Sequence, residues 1–149
     1  LIRALTLNTL GDIYRAEFGL NGTPAYLSMS ASFYQQATEQ LAPFPSSYLG
    51  LGALRTTEGK YEQARSNFDK ALDADPQLAP AQSWIGWSYY DEGEIEQAAA
   101  AFDAALAIDD GDWLALYGKG RLAYAAADAP DAYAEAATLL REAAARNPR

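Results

Sequence analysis

The sequence predicts an all-α fold, a right-handed superhelical solenoid of about four helical hairpins forming one domain over residues 1–149. Three observations point there. Residues 45–78 and 79–112 repeat one another at a constant offset of 34 residues. Small residues recur at fixed places ahead of recurring Phe, and the links Glu58-Gly59-Lys60 and Glu92-Gly93-Glu94 interrupt the helical pattern at matching points. A repeat of roughly 20 to 50 residues marks stacked supersecondary units, each of which buries its apolar face only against its neighbours.

Laid over each other, the central units pair Leu51-Gly52 with Ile85-Gly86, Gly59 with Gly93, Tyr61 with Ile95, Ala64 with Ala98, Phe68 with Phe102, and Ala71-Leu72 with Ala105-Leu106. Two antiparallel helices cross closely only where a side chain is small. Gly52, Gly86, Ala64 and Ala98 supply those points, and Phe68 and Phe102 fill the wider space beside them. The glycine-containing links are the short helix ends that a helical hairpin needs.

This order of residues resembles the tetratricopeptide repeat, with its pattern W-x2-L-G-x2-Y, then A-x3-F, then P. Residues 45–78 match it with Tyr48, Leu51, Gly52, Ala64, Phe68, Ala71 and Pro76. Residues 79–112 match with Ile85, Gly86, Tyr89, Ala98, Phe102 and Ala105, while Gln82 replaces the aromatic and Asp110 the proline. The outer repeats, about 4–44 and 113–149, are looser. The last offers Gly120, Ala136, Leu140, Ala143 and Pro148, with four residues inserted around Ala127-Asp128-Ala129-Pro130. The first offers Leu10-Gly11 and Tyr14, then Ser30, Tyr34 and Ala37, with seven inserted residues that include the Gly22-Thr23-Pro24 turn.

Eight helices are expected, at about 1–20, 24–41, 46–58, 61–74, 79–92, 95–108, 112–127 and 130–146. Thr23 is placed as a capping residue with Pro24 starting the next helix, and Asp112 as the N-cap of the seventh. The start at Leu1, already in helical pattern, and the want of a polar capping helix after Pro148 are read as marks of a piece of a longer chain.

Composition narrows the chemistry. Eleven Lys and Arg against twenty Asp and Glu give a net charge of -9, which repels nucleic-acid phosphates and anionic lipid headgroups. There is no Cys and no His, so disulfides, zinc sites with the usual ligands, thiol nucleophiles and imidazole acid-base chemistry are all excluded. No apolar stretch approaches the roughly 20 residues of a membrane-spanning helix, and the N-terminus lacks the order of a signal peptide. A chain without thiols carries no redox record, so compartment stays open.

No catalytic constellation is found. Asp91 and Glu92 are adjacent on a helix end and diverge, and Gly50-Leu51-Gly52 lies inside a helix rather than after a strand. Asp109-Asp110-Gly111-Asp112 lacks the alternating ligands and closing Glu of a calcium loop, and reads as a turn between helices. Neither an enzyme activity nor a cofactor is expected.

In the resembled family the first helix of each hairpin lines a concave groove through its second, fifth, ninth, twelfth and thirteenth places. Carried over, that implies a partner-binding surface containing Asn8, Asp12 and Arg15 from the first repeat and Leu49 and Thr56 from the second. Ser83, Trp87, Tyr90 and Asp91 come from the third, and Tyr117, Arg121 and Tyr124 from the fourth. The rings would form an aromatic wall with Arg121 among them, while Tyr14, Tyr89, Phe68 and Phe102 occupy the repeat's own packing places. The Lys, Asn and Arg with which some family members grip a chaperone's C-terminal carboxylate are missing from the fifth and ninth places, which hold Asn8 and Asp12, Leu49 and Ala53, Ser83 and Trp87, Tyr117 and Arg121. From Ala71 to Gly118 there is no Lys or Arg but a run of Asp and Glu. The resemblance therefore implies a scaffold for a protein or peptide of basic and apolar character. The alternative is a structural subunit docked in a larger complex through its convex face or its last hairpin.

Overall fold

Eight α-helices and no strand make up the described residues, 1–147, of the computed structural model. They are α1 (Ile2–Asn21), α2 (Pro24–Gln40), α3 (Pro45–Thr57), α4 (Tyr61–Ala74), α5 (Ala79–Glu92), α6 (Ile95–Ile108), α7 (Trp113–Ala126) and α8 (Pro130–Arg146). Each lies within two residues of its sequence-predicted span. Pro148, assigned to the repeat pattern from sequence, lies outside the described residues. The helices group into two compact units, Leu1–Pro76 and Gln77–Arg149.

In the first unit α1 pairs with α2 and α3 with α4, and α3 leans on both members of the first hairpin. The contact is organised by one ring. Tyr34 is fully buried, and a Cβ added to Gly11 would come within 2.5 Å of it and one added to Gly50 within 2.3 Å. Gly11 belongs to the ring's own hairpin and Gly50 to the next, so the glycines let two helices close on one aromatic side chain. Phe68 faces one glycine, in its own hairpin, where a Cβ on Gly52 would lie 2.3 Å from it. Tyr14 stacks on Phe33 with centroids 5.4 Å apart, a packing role as the sequence predicts.

The second unit repeats the plan. Helix α5 pairs with α6 and α7 with α8, and α7 leans on both α5 and α6. Phe102 is the buried ring, held between Gly86 and Gly118, whose added Cβ atoms would approach it to 2.6 and 2.3 Å. Ala98, Ala105 and Ala115 complete that core. In α8 the corresponding place holds Leu140, which lies against Gly120 of its own hairpin.

The hairpin turns explain the helix ends. Gly59 and Gly93 adopt left-handed φ values of 73° and 82°, and the following N–H groups of Lys60 and Glu94 reach back to the carbonyls of Arg55 (2.8 Å) and Tyr89 (2.9 Å). This is the glycine-terminated helix stop, which satisfies carbonyls otherwise left open. Asp112 caps α7 as predicted, its Oδ1 accepting from the Ala115 N–H at 2.8 Å. Thr23 stands at the N-cap of α2 with Pro24 in the first turn, but its side chain makes no capping hydrogen bond, a departure from the sequence expectation. The seven residues inserted in the first repeat lengthen helices more than loops, since α1 runs 20 residues where α3 runs 13.

Candidate partner-binding surface

In the first unit the predicted surface residues turn toward one another. Asn8 donates through Nδ2 to Asp12 Oδ2 at 3.1 Å and accepts from Ser47 Oγ at 2.9 Å. Asp12 accepts from the Tyr34 hydroxyl at 2.7 Å, with Arg15 at 3.8 Å on the same carboxylate. Burial, reinforced by that bond to an anion, pushes the Tyr34 phenol up to about 12. Asn8 and Asp12 thus tie α1 to α2 and α3. Thr56 returns its hydroxyl to the Gly52 carbonyl of its own helix at 3.2 Å, and Leu49 is half-buried. A hollow of about 220 Å³ in this unit is lined by Pro43, Tyr48, Lys70, Asp73 and Ala74, none of them a predicted surface residue.

In the second unit the rings assemble. Trp87 stacks on Tyr117 with centroids 5.4 Å apart and 27° between planes, and meets Tyr90 edge-on at 5.3 Å. The Arg121 guanidinium lies over all three, 4.9 Å from Tyr90, 5.7 Å from Trp87 and 5.9 Å from Tyr117. A delocalised, weakly hydrated cation suits such faces. Trp87 is also anchored from below, against Phe102 at 5.6 Å and through Nε1 to the Leu114 carbonyl at 3.2 Å. It therefore serves as the base of the wall, half-buried, while Tyr117 and Tyr124 keep 39% and 60% of their surface exposed.

Tyr90, Tyr117, Arg121, Tyr124, Ala125 and Leu140 enclose an open cleft of about 270 Å³. Four of these are predicted surface residues. The sequence predicts Leu140 only as a packing residue, because the implied groove draws on first helices alone; Leu140 comes from α8 and reaches the cleft from the second helix of its hairpin. Its signal in the sequence is that it stands where Tyr34, Phe68 and Phe102 stand, with a shorter side chain that leaves room.

Ser83 requires a correction. It is fully buried, and its hydroxyl donates to Asp112 Oδ1 at 2.7 Å. The α7 N-cap needs a second donor for its buried carboxylate, and Ser83 provides it, so this side chain is withdrawn from any surface. Asp91 is exposed at the end of α5, followed by exposed Glu92, Glu94 and Glu96 around the turn into α6. Among the described residues there is no cluster of carboxylates arranged for a metal ion and no helix long and apolar enough to cross a membrane.

The family model of the tetratricopeptide repeat matches residues 56–119. No curated protein matches the chain in sequence. Among solved structures, the chain is similar to a chain of the APC/C hetero-tetramer Cut9-Hcn1, at 19% identity over 93% of this chain and 26% of that one, with a TM-score of 0.75. It is similar to TTC0263, a thermophilic TPR protein of Thermus thermophilus, at 15% identity over 95% of this chain and 73% of that one, TM-score 0.74. The first TPR of Spaghetti (RPAP3), bound to the HSP90 peptide SRMEEVD, follows at 16% identity over 85% of this chain and 94% of that one, TM-score 0.70. These likenesses are of fold, an all-α helical-repeat solenoid, and no catalytic family is among them.

Proposed function

We propose that this chain, whose residues 56–119 match the tetratricopeptide-repeat model, is a protein-interaction scaffold that binds a peptide or partner segment in the aromatic cleft of its second unit. The observation that carries the reading is the gathering of Tyr90, Tyr117, Arg121 and Tyr124 around one open hollow, with large rings left exposed. Rings of this kind lose little conformational freedom on binding and contribute much buried area, which is why contact energy concentrates on them.

The chemistry suits a guest with an apolar or aromatic side chain for the hollow and basic residues beside it. The Arg121 guanidinium is held over three ring faces, and Asp91, Glu92, Glu94 and Glu96 are exposed. A similar fold holds the HSP90 peptide in the RPAP3 domain. The residues at the fifth and ninth places here differ from a carboxylate clamp, so the guest proposed is not a carboxylate tail.

The test is capture of partners from the native source on the natural chain and on a Tyr117→Ala, Tyr124→Ala double variant whose helical circular dichroism is unchanged. Partners retained by the natural chain and lost from the variant support the cleft. An identical set on both sinks it.

A further inference from the structure

The side chains that line the aromatic cleft are rich in hydrogen-bond donors and poor in acceptors. Tyr90 comes from α5, Tyr117, Arg121, Tyr124 and Ala125 from α7, and Leu140 from α8, so none is a carboxylate or a carboxamide. A guanidinium donates and never accepts, and a phenol gives up a proton readily to a carbonyl. Among the described residues, neither the Arg121 guanidinium nor the hydroxyls of Tyr90, Tyr117 and Tyr124 make a hydrogen bond within the chain. Other cations sit on carboxylates: Arg55 on Glu58 at 2.7 Å, Arg146 on Glu142 at 3.1 Å, and Lys119 on Asp103. Arg121 is held over three ring faces instead, which leaves its N–H groups open to whatever enters.

A segment that fills this cleft has to meet those donors with acceptors. Each N–H of its own finds no carboxylate or carboxamide there, and a polar group enclosed without a partner costs affinity. Proline answers both demands. It has no N–H, keeps its carbonyl, and lays an apolar ring against aromatic faces. In the polyproline II conformation the carbonyls make no internal hydrogen bonds, and the fixed φ lowers the ordering cost of binding. A carboxylate on the guest would also match Arg121, but the surrounding charge opposes it. The chain carries a net charge of -9, has no Lys or Arg between Ala71 and Gly118, and exposes Asp91, Glu92, Glu94 and Glu96 directly after Tyr90. That field repels acidic segments and draws in basic ones.

On the reading that this cleft is the binding site, we infer that its guest is a proline-rich segment in the polyproline II conformation, flanked by Lys or Arg. The prolines pack on the rings of Tyr90, Tyr117 and Tyr124, and the guest's carbonyls accept from Arg121 and the phenols. The basic flank lies toward the acidic turn that follows Tyr90. Arg121 then selects a chain rich in carbonyls and poor in N–H groups, and the acidic turn selects its charge.

Fluorescein-labelled peptides of one length, read by anisotropy against the natural chain, provide the test. The first alternates paired prolines with alanine between terminal arginines; in the second every proline is alanine, and in the third every proline is leucine. The proline peptide is expected to bind saturably and at least about tenfold more tightly than the other two. Arg121→Ala and Tyr124→Ala, each with unchanged helical circular dichroism, should weaken it at least about fivefold, as should glutamates in place of its arginines. Tyr124→Phe, which loses only the hydroxyl, serves if Tyr124→Ala loses its helical signal. A leucine peptide that binds more tightly than the proline peptide and is released by Tyr124→Ala overturns the proline assignment and leaves the cleft in place. Proline binding that neither variant weakens overturns both. A glutamate-flanked peptide that binds more tightly than the arginine-flanked one overturns the basic flank. A proline peptide that does not bind overturns the inference outright, and the cleft is then judged by partner capture.

Discussion

At the fifth and ninth places of its repeat α1 carries Asn8 and Asp12, and α7 carries Tyr117 and Arg121. In the first unit both side chains are drawn into the framework, Asn8 by Ser47 and Asp12 by the hydroxyl of Tyr34. In the α7–α8 hairpin the place of Tyr34 is held by Leu140, which has no hydroxyl to offer, and the matching positions remain outside, where Arg121 settles on aromatic faces. The same register therefore yields a polar tie in one unit and an open aromatic cleft in the other. Repeat position decides where a side chain starts; the chemistry of the residue facing it from the second helix of its hairpin decides whether it is left available.

The comparison can be broken most severely at the rings. Phe102→Ala is expected to cost about 3–5 kcal/mol in urea unfolding, the usual loss for a fully buried aromatic side chain, and Tyr34→Ala a similar amount. Next come the glycines that face them. Gly50→Ala and Gly118→Ala gain in helix propensity, yet each forces a methyl to within 2.3 Å of a ring, so a net loss of about 1–3 kcal/mol is expected by thermal unfolding. Gly19, with nothing within 4 Å of its added Cβ, is the control, and Gly19→Ala should stabilise by roughly 0.5–1 kcal/mol. Stabilisation at Gly118 as well would mean that ring contact does not set the helix spacing.

A subtler change separates the tie from the packing. Tyr34→Phe keeps the ring, loses the bond to Asp12, and should cost about 1 kcal/mol. It should also alter the response to alkali. The folded chain holds the Tyr34 proton to about pH 12 while an unfolded chain releases it near 10.0, so stability is complete below the lower value and drains away as pH rises through the upper one. Circular dichroism across that window should show the loss in the natural chain and its reduction in the Phe variant. Smallest of all, Tyr124→Ala should change stability by no more than about 0.5 kcal/mol, because the side chain is 60% exposed. Any effect it has on partner capture then reports on contact with the partner.

Most of the helical framework was legible because it is written in periodic small and large residues. Gly52 with Phe68 and Gly86 with Phe102 announce both the hairpin and the ring that fills it. The surface was read less fully, for reasons that are local. Ser83 has the register of a surface residue, but the turn after Asp109 brings Asp112 above it, and that partner is set by tertiary contact. Trp87 has the register and the chemistry, yet its N–H finds the Leu114 carbonyl on the next helix pair and fixes it as support. Leu140 was missed as a cleft residue because its role depends on being smaller than the rings it replaces. That is a comparison between repeats, not a pattern within one.

The turns at Gly59 and Gly93 hold a further consequence. They close different hairpins with the same backbone reversal, the same backward pair of hydrogen bonds and nearly the same φ. A joint with a standard fitting makes the hairpin an interchangeable cassette. Duplicating residues 45–78 or 79–112 in the gene would bring its own turn with it, so a chain of this kind can lengthen by copying without inventing a new loop.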